Sequence, residues 1–218
     1  MGTTKDIREA VEAELGFDPL VDSTDITVNN MGGEVALNGT VPSYPQYLEA
    51  AAAAQRVYGV KNVHNHLEVA LPPGDERDDP TLTTMANNAL ALNITVPGGI
   101  EATARSGNLN LTGTVSCGPE RTAAEVAVAG LTGVRNIKDE IEIGYYGVDP
   151  ADVTSLVQDA LDRYALVPDD SDVAVDTDGN TVRLIGHVRS WAEHDAVIDA
   201  AWMASGILEV RDDLLVTG

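Results

Sequence analysis

The chain has 218 residues, with 13 Lys and Arg against 35 Asp and Glu for a formal charge of −22, and is 44% hydrophobic and 22% charged. That balance is globular and not disordered; so acidic a surface repels nucleic-acid phosphates, which excludes a nucleic-acid partner, and it disfavours docking on anionic lipid. A single cysteine, Cys117, excludes an internal disulfide framework and a multi-thiol zinc site.

The first segment, MGTTKDIREAVEAELG, has neither the basic flank nor the apolar run of a signal peptide, and no later segment is apolar for the length of a membrane span. A soluble cytoplasmic protein is therefore expected. Within that segment Ile7, Val11 and Leu15 stand four apart, predicting an amphipathic helix. A short strand follows at Ile26 and Val28, then a turn through Asn29–Gly33, rich in residues that tolerate positive φ. The return strand alternates as Val35, Leu37, Gly39, Val41. Ser43, three residues before Gln46, has the spacing of a capping box. It opens a second helix whose inward stripe is Ala50, Ala53, Ala54 and Val57. Gly59 is placed to end that helix in the left-handed conformation, and Val63, Leu67 and Val69 make a last strand.

The same order then recurs twice, with a period of about 73 residues, and such a period means one small module used repeatedly. Leu37-Asn38-Gly39-Thr40-Val41 returns as Leu111-Thr112-Gly113-Thr114-Val115 and as Leu184-Ile185-Gly186-His187-Val188. The opening helices of the later copies read Leu82, Met85, Ala89 and Val153, Val157, Leu161. Cys117 with Glu120, and Ser190 with Glu193, fill the capping slots. The second-helix stripes are Ala124, Ala127, Val128, Leu131 and Val197, Ala200, Ala201, Ala204, ended by Gly133 and Gly206. Gly39, Gly113 and Gly186 are expected on the core side of their strand, where an Ala-lined helix approaches closely. Boundaries are expected at the Pro- and charge-rich 71–80 and at 145–150, giving units 1–70, 81–144 and 151–218. The predicted fold is α+β: three tandem αββαβ units, each with two helices packed on one face of a three-stranded sheet.

On the Leu-x-Gly-x-Val strand, the Gly-Val-x-x-Val start of the last strand in Gly59–Val63 with its counterparts Gly133–Ile137 and Gly206–Val210, and Val188–Glu193, the chain resembles the BON (bacterial OsmY and nodulation) family, in its unexported three-copy subgroup. The resemblance covers nearly the whole chain. It implies links to envelope integrity, osmotic or general stress and phospholipid or protein binding; some single-domain relatives sense potassium, and none is a recognised enzyme. No cofactor is implied.

The residues themselves offer little chemistry. His64 and His66 share a strand face that a metal could use, but the equivalent positions hold Lys138 and Glu140, then Arg211 and Asp213, so a solvated face is expected and no metal site. His187 and His194 read as surface positions without a nucleophile. Asp176–Asn180 reads as a hairpin turn, since its Gly and the twelfth position miss the calcium-loop pattern. Asp169, Asp170 and Asp172 read as a solvated acidic loop. Aromatic residues are the binding candidates: Tyr44 and Trp191 directly after the caps, Tyr145 and Tyr146 beside the second boundary, and Trp202 off the apolar stripe of its helix. Packing between units is their competing role. The expectation is a non-enzymatic stress-associated adaptor that contacts proteins through its sheets and these aromatic helix starts. The alternative is a sensor of phospholipid surfaces or of potassium or calcium.

Overall fold

The computed structural model describes residues 4–144, 150–164, 167, 172–204 and 206–217. Each unit runs helix, strand, strand, helix, strand. The first contains α1 (Thr4–Phe17), β1 (Ile26–Met31), β2 (Glu34–Val41), α2 (Tyr44–Gln55) and β3 (Asn62–Val69). The second contains α3 (Asp79–Leu92), β4 (Glu101–Arg105), β5 (Asn108–Val115), α4 (Gly118–Ala129) and β6 (Asn136–Ile143). The third contains α5 (Pro150–Arg163), β7 (Asp172–Asp178), β8 (Thr181–Val188), α6 (Trp191–Met203) and β9 (Glu209–Val216). The three-unit α+β fold expected from the repeats is the fold observed.

In each sheet the Leu-x-Gly-x-Val strand is central, antiparallel to the strand before it and parallel to the one after it. The hairpins are two-residue loops carrying glycine where φ is positive: Gly32-Gly33, Ser106-Gly107 and Gly179-Asn180. The parallel partner needs a crossover, which the second helix supplies. Each unit has its own core, centred on Leu37, Leu111 or Leu184 from the central strand, all fully buried. The second-helix alanines are buried as their spacing requires: Ala50, Ala53 and Ala54, Ala124, and Ala200 and Ala201. The opening helix of the second unit buries Leu82, Ala86 and Leu90, a four-residue repeat, leaving Met85 and Ala89 half-buried where the sequence pattern places the stripe.

The central glycines are required for a reason other than helix packing. Gly39, Gly113 and Gly186 have φ of 125°, 133° and 142°, and none of the three is buried. A Cβ at Gly39 would stand 1.9 Å from the Asp25 carbonyl oxygen, at Gly186 1.7 Å from that of Asp172, and at Gly113 2.5 Å from that of Gly99. The close approach is to the backbone entering the antiparallel neighbour strand. Gly59, Gly133 and Gly206 are left-handed as predicted, but they do not end the helices, which stop at Gln55, Ala129 and Met203. Val60 N–H donates to the Val57 carbonyl and Val134 N–H to that of Leu131, so Gly59 and Gly133 are third residues of reverse turns, where positive φ is demanded.

The side-chain cap of the expected capping boxes is realised in one unit, with the reciprocal carboxylate bond falling one residue before the cap. Ser190 accepts from Glu193 N–H at 3.2 Å, and the Glu193 carboxylate reaches back to Arg189 N–H at 2.9 Å. Ser43 makes no such bond, and the Gln46 amide oxygen accepts from Asp22 N–H at 2.7 Å instead of reaching back to the cap. Cys117 makes none either, and Glu120 accepts from Ser116 N–H.

Between units the chain is tied by specific bonds. Asp78 caps α3 by accepting from Thr81 N–H at 2.8 Å, so this helix begins within 71–80. Arg135 of the second unit donates to the Val69 carbonyl at 3.1 Å and to Glu76 at 2.9 Å, holding the end of β3 and the segment after it. Among the described residues no helix is long and apolar enough to cross a membrane.

Candidate functional site: the groove between the second and third units

The aromatic candidates divide between unit interfaces and unit interiors. Tyr44 stacks on Tyr47 at 5.6 Å and packs on both the first and the second core. Burial, followed by the charge of Glu125, raises its phenol above the usual range. Trp202 crosses from α6 to α4, where Gly118 leaves room for it: a Cβ on Gly118 would lie 2.6 Å from the indole. Arg121 stands 5.0 Å from the same ring centroid. Trp191 stays within its own unit, packed on the third core and 4.7 Å from the His194 ring, with its indole N–H buried and unpartnered among the described residues. Tyr145 and Tyr146 lie outside the described residues, as do Asp169 and Asp170.

Gly118 is the second unit's counterpart of Tyr44 and Trp191, the first residue of its helix. One slot in the repeat thus carries an aromatic ring twice and the vacancy that admits a ring once.

His194 corrects a surface expectation, being only 8% exposed. Its Nδ1 is 3.0 Å from Asp195 and its Nε2 2.8 Å from Asp212 on β9. Burial opposes its charge, but the hydrogen bonds and negative charges of both aspartates outweigh burial and raise its pKa above 6.5. The same slots in the other units serve the same purpose with other chemistry. In the second unit Arg121 pairs with Asp139 at 3.2 Å, and in the first Asn65 donates to the Tyr47 carbonyl at 2.8 Å. Each strand residue also accepts from the N–H two positions on, at Leu67, Ile141 and Leu214. Sequence reasoning misses this clasp between second helix and last strand; its signal is the alignment of Tyr47, Arg121 and His194 with Asn65, Asp139 and Asp212.

A pH prediction follows from the clasp. The folded pKa of His194 is raised, so its contribution is fully present below the unfolded value near 6.5 and is lost as pH rises through the folded value. The melting temperature of the third unit should fall between pH 6 and pH 9, and His194→Gln should flatten that slope. An identical slope in both proteins would remove His194 from the account.

His187 is exposed and bonded to Asp172 at 3.0 Å, and His64 and His66 are exposed, stacked at 6.3 Å, with His64 3.0 Å from Glu34. Among the described residues no group of three or more His, Cys, Asp or Glu is placed to hold a metal ion.

The contact of Trp202 on Gly118 leaves an open groove beside it, with a cavity of about 410 Å³. From α4 it is walled by Pro119, Thr122, Ala123 and Val126, an i, i+3, i+4, i+7 stripe without charge. From α6 come Asp199, Trp202 and Met203. Asn93, Thr95 and Tyr164 complete its lining; Asn93 and Thr95 flank Ile94 just after Leu92, the last residue of α3, and Leu92 and Ile94 are both highly exposed. In a chain of charge −22, an uncharged helix stripe bordered by exposed apolar side chains is a distinct surface.

The BON domain model matches residues 3–70, 78–145 and 149–218. Among solved structures, the chain is similar to CdsD, a structural protein of the type III secretion system of Chlamydia trachomatis, at 14% identity over 96% of this chain and 91% of that one, with a TM-score of 0.26. It is likewise similar to the C-terminal domain of CdsD, at 16% identity over 98% of each chain and a TM-score of 0.27. At these scores neither likeness bears on the arrangement of the units or on activity. No curated protein matches significantly. Three family matches that together span almost every residue, each on one αββαβ unit, make this chain a member of the BON-domain family.

Proposed function

We propose that the protein is a non-catalytic, stress-associated adaptor that captures protein partners in the groove between α4 and α6. The observation that carries this reading is the uncharged stripe Pro119, Thr122, Ala123 and Val126 facing Trp202 and Met203 across an open cavity, on an otherwise acidic molecule. Helix-in-groove recognition uses this shape. Membership of a family whose domains occur in stress-related proteins supports the setting. A docking role for the sheet faces is less favoured, since their outer positions are polar or charged: His64, His66 and Glu68 on β3, Lys138, Glu140 and Glu142 on β6. The aromatic helix starts are less favoured too, because Tyr44 is spent on packing between units and Trp191 on its own core. Catalysis is not part of the proposal: both ring nitrogens of His194 are engaged by carboxylates within the clasp between second helix and last strand.

A photo-crosslinking residue at Val126 should yield discrete protein adducts in cells after osmotic shock, and Met203→Glu should abolish them. Adducts no different from those of a crosslinker at Glu68, on the first unit, would overturn the reading.

A further inference from the structure

We infer that the groove between α4 and α6 takes a basic amphipathic helix of a partner protein, its apolar side on Val126, Trp202 and Met203 and its lysines or arginines opposite Asp199. This rests on the groove being the partner site proposed above and specifies the chemistry of what enters it. The size of the apolar surface is the first argument. Val126 is 68% exposed and Met203 67%, so the groove has an exposed apolar rim, and Leu92 and Ile94, next in the chain to the lining residues Asn93 and Thr95, are 86% and 99% exposed. A small molecule filling about 410 Å³ would leave that rim in water, whereas a helix about 10 Å across can lie along the stripe and cover it. Apolar area removed from water is the main source of affinity in such contacts.

Charge selects the kind of helix. Asp199 borders this cavity and also the adjoining one lined by Arg121, His194, Asp195 and Asp212. In that second cavity the cations are already matched, Arg121 by Asp139 and His194 by Asp195 and Asp212. Asp199 has no hydrogen-bond or ion-pair partner among the described residues, and burial, then the charge of Asp195, holds its carboxyl above the usual range. A cation from outside would relieve that. The net charge of −22 acts in the same direction: it attracts a basic segment from a distance and repels a second copy of this chain or an acidic helix.

The test uses the full chain and a fluorescein-labelled helix of Leu and Lys in amphipathic order, with a matched Leu–Glu helix, read by anisotropy across a salt series. The lysine helix should bind saturably and at least about tenfold tighter than the glutamate one, the scale expected when rim charges are matched instead of opposed. Asp199→Lys should weaken it by about tenfold and the pair Val126→Ser with Met203→Ser should remove most binding, while Glu68→Lys, the same charge change on the first unit, should alter it by less than about twofold. All of these positions are solvent-exposed, and unchanged melting temperatures confirm that folding is intact. Equal weakening by Glu68→Lys and Asp199→Lys would reduce the effect to diffuse attraction and overturn the inference. So would binding of neutral phosphatidylcholine vesicles, lost with Val126→Ser and Met203→Ser, in place of peptide binding. If the crosslinks at Val126 still depend on Met203 while the lysine helix fails, the partner site stands and its basic specificity falls; if the crosslinks fail as well, both fall.

Discussion

Gly186→Ala should unfold the third unit at ordinary temperature. Two penalties coincide there. The backbone has φ of 142°, where a residue with a Cβ is strained by about 1–3 kcal/mol. The added carbon would also sit 1.7 Å from the Asp172 carbonyl oxygen, an overlap that only movement of β7 away from β8 can relieve. That movement breaks the antiparallel ladder and adds a repacking cost of about 1–3 kcal/mol. The sum is comparable with the whole stability of a unit of this size, about 3.5–10 kcal/mol at the usual value per residue. The repeats supply an internal scale for the argument. Gly39→Ala, with its oxygen at 1.9 Å, should be nearly as severe, and Gly113→Ala, at 2.5 Å, the mildest of the three. Urea unfolding of the three single variants checks the ranking; a Gly186→Ala protein with wild-type stability would show that the strand pairing does not need glycine there.

The repeat makes most of the fold legible in the amino-acid sequence alone. Leu37, Leu111 and Leu184 declare the central strand by alternation, and the alanine stripes declare the second helix, because both periodicities are local consequences of which face meets the core. The glycines are visible there, but their reason is not: the Asp25, Gly99 and Asp172 carbonyls that exclude a Cβ come from a different strand, and only the sheet register brings them there. Caps are half-legible, since spacing shows which side chain is available and not which donor wins it; Gln46 goes to Asp22 N–H, 24 residues away. His194 misleads for the same reason. Its position on the helix looks peripheral, and its burial comes from Asp212 on the last strand and the Trp191 ring. The groove cannot be read from the sequence at all, because Val126 and Met203 belong to different units and meet only through the docking of α4 on α6.

That docking depends on one ring entering one gap, and Trp202→Ala should uncouple the third unit from the second. The indole loses its seat on Gly118 and its contact with Arg121, the latter worth about 0.5–1 kcal/mol at a partly exposed site. The packing loss is larger but remains below the roughly 3–5 kcal/mol of a fully buried aromatic, since Trp202 keeps some exposure. The third unit should then melt at a lower temperature than in the intact chain and apart from the second. Gly118→Leu should have the same effect from the other side, because its Cβ would fall 2.6 Å from the ring. The two substitutions test one contact and therefore cannot add. Once Trp202 is alanine, the ring atoms that a Cβ at the first position of α4 meets first are gone, and Gly118→Ala should become neutral or slightly stabilising, as glycine-to-alanine changes in helices are by up to about 1 kcal/mol. In the native background the same Gly118→Ala must displace the indole and should cost stability. Calorimetry of the four proteins measures this reversal of sign directly, and a Gly118→Ala effect that is the same with and without Trp202 would mean that the second and third units are held together elsewhere.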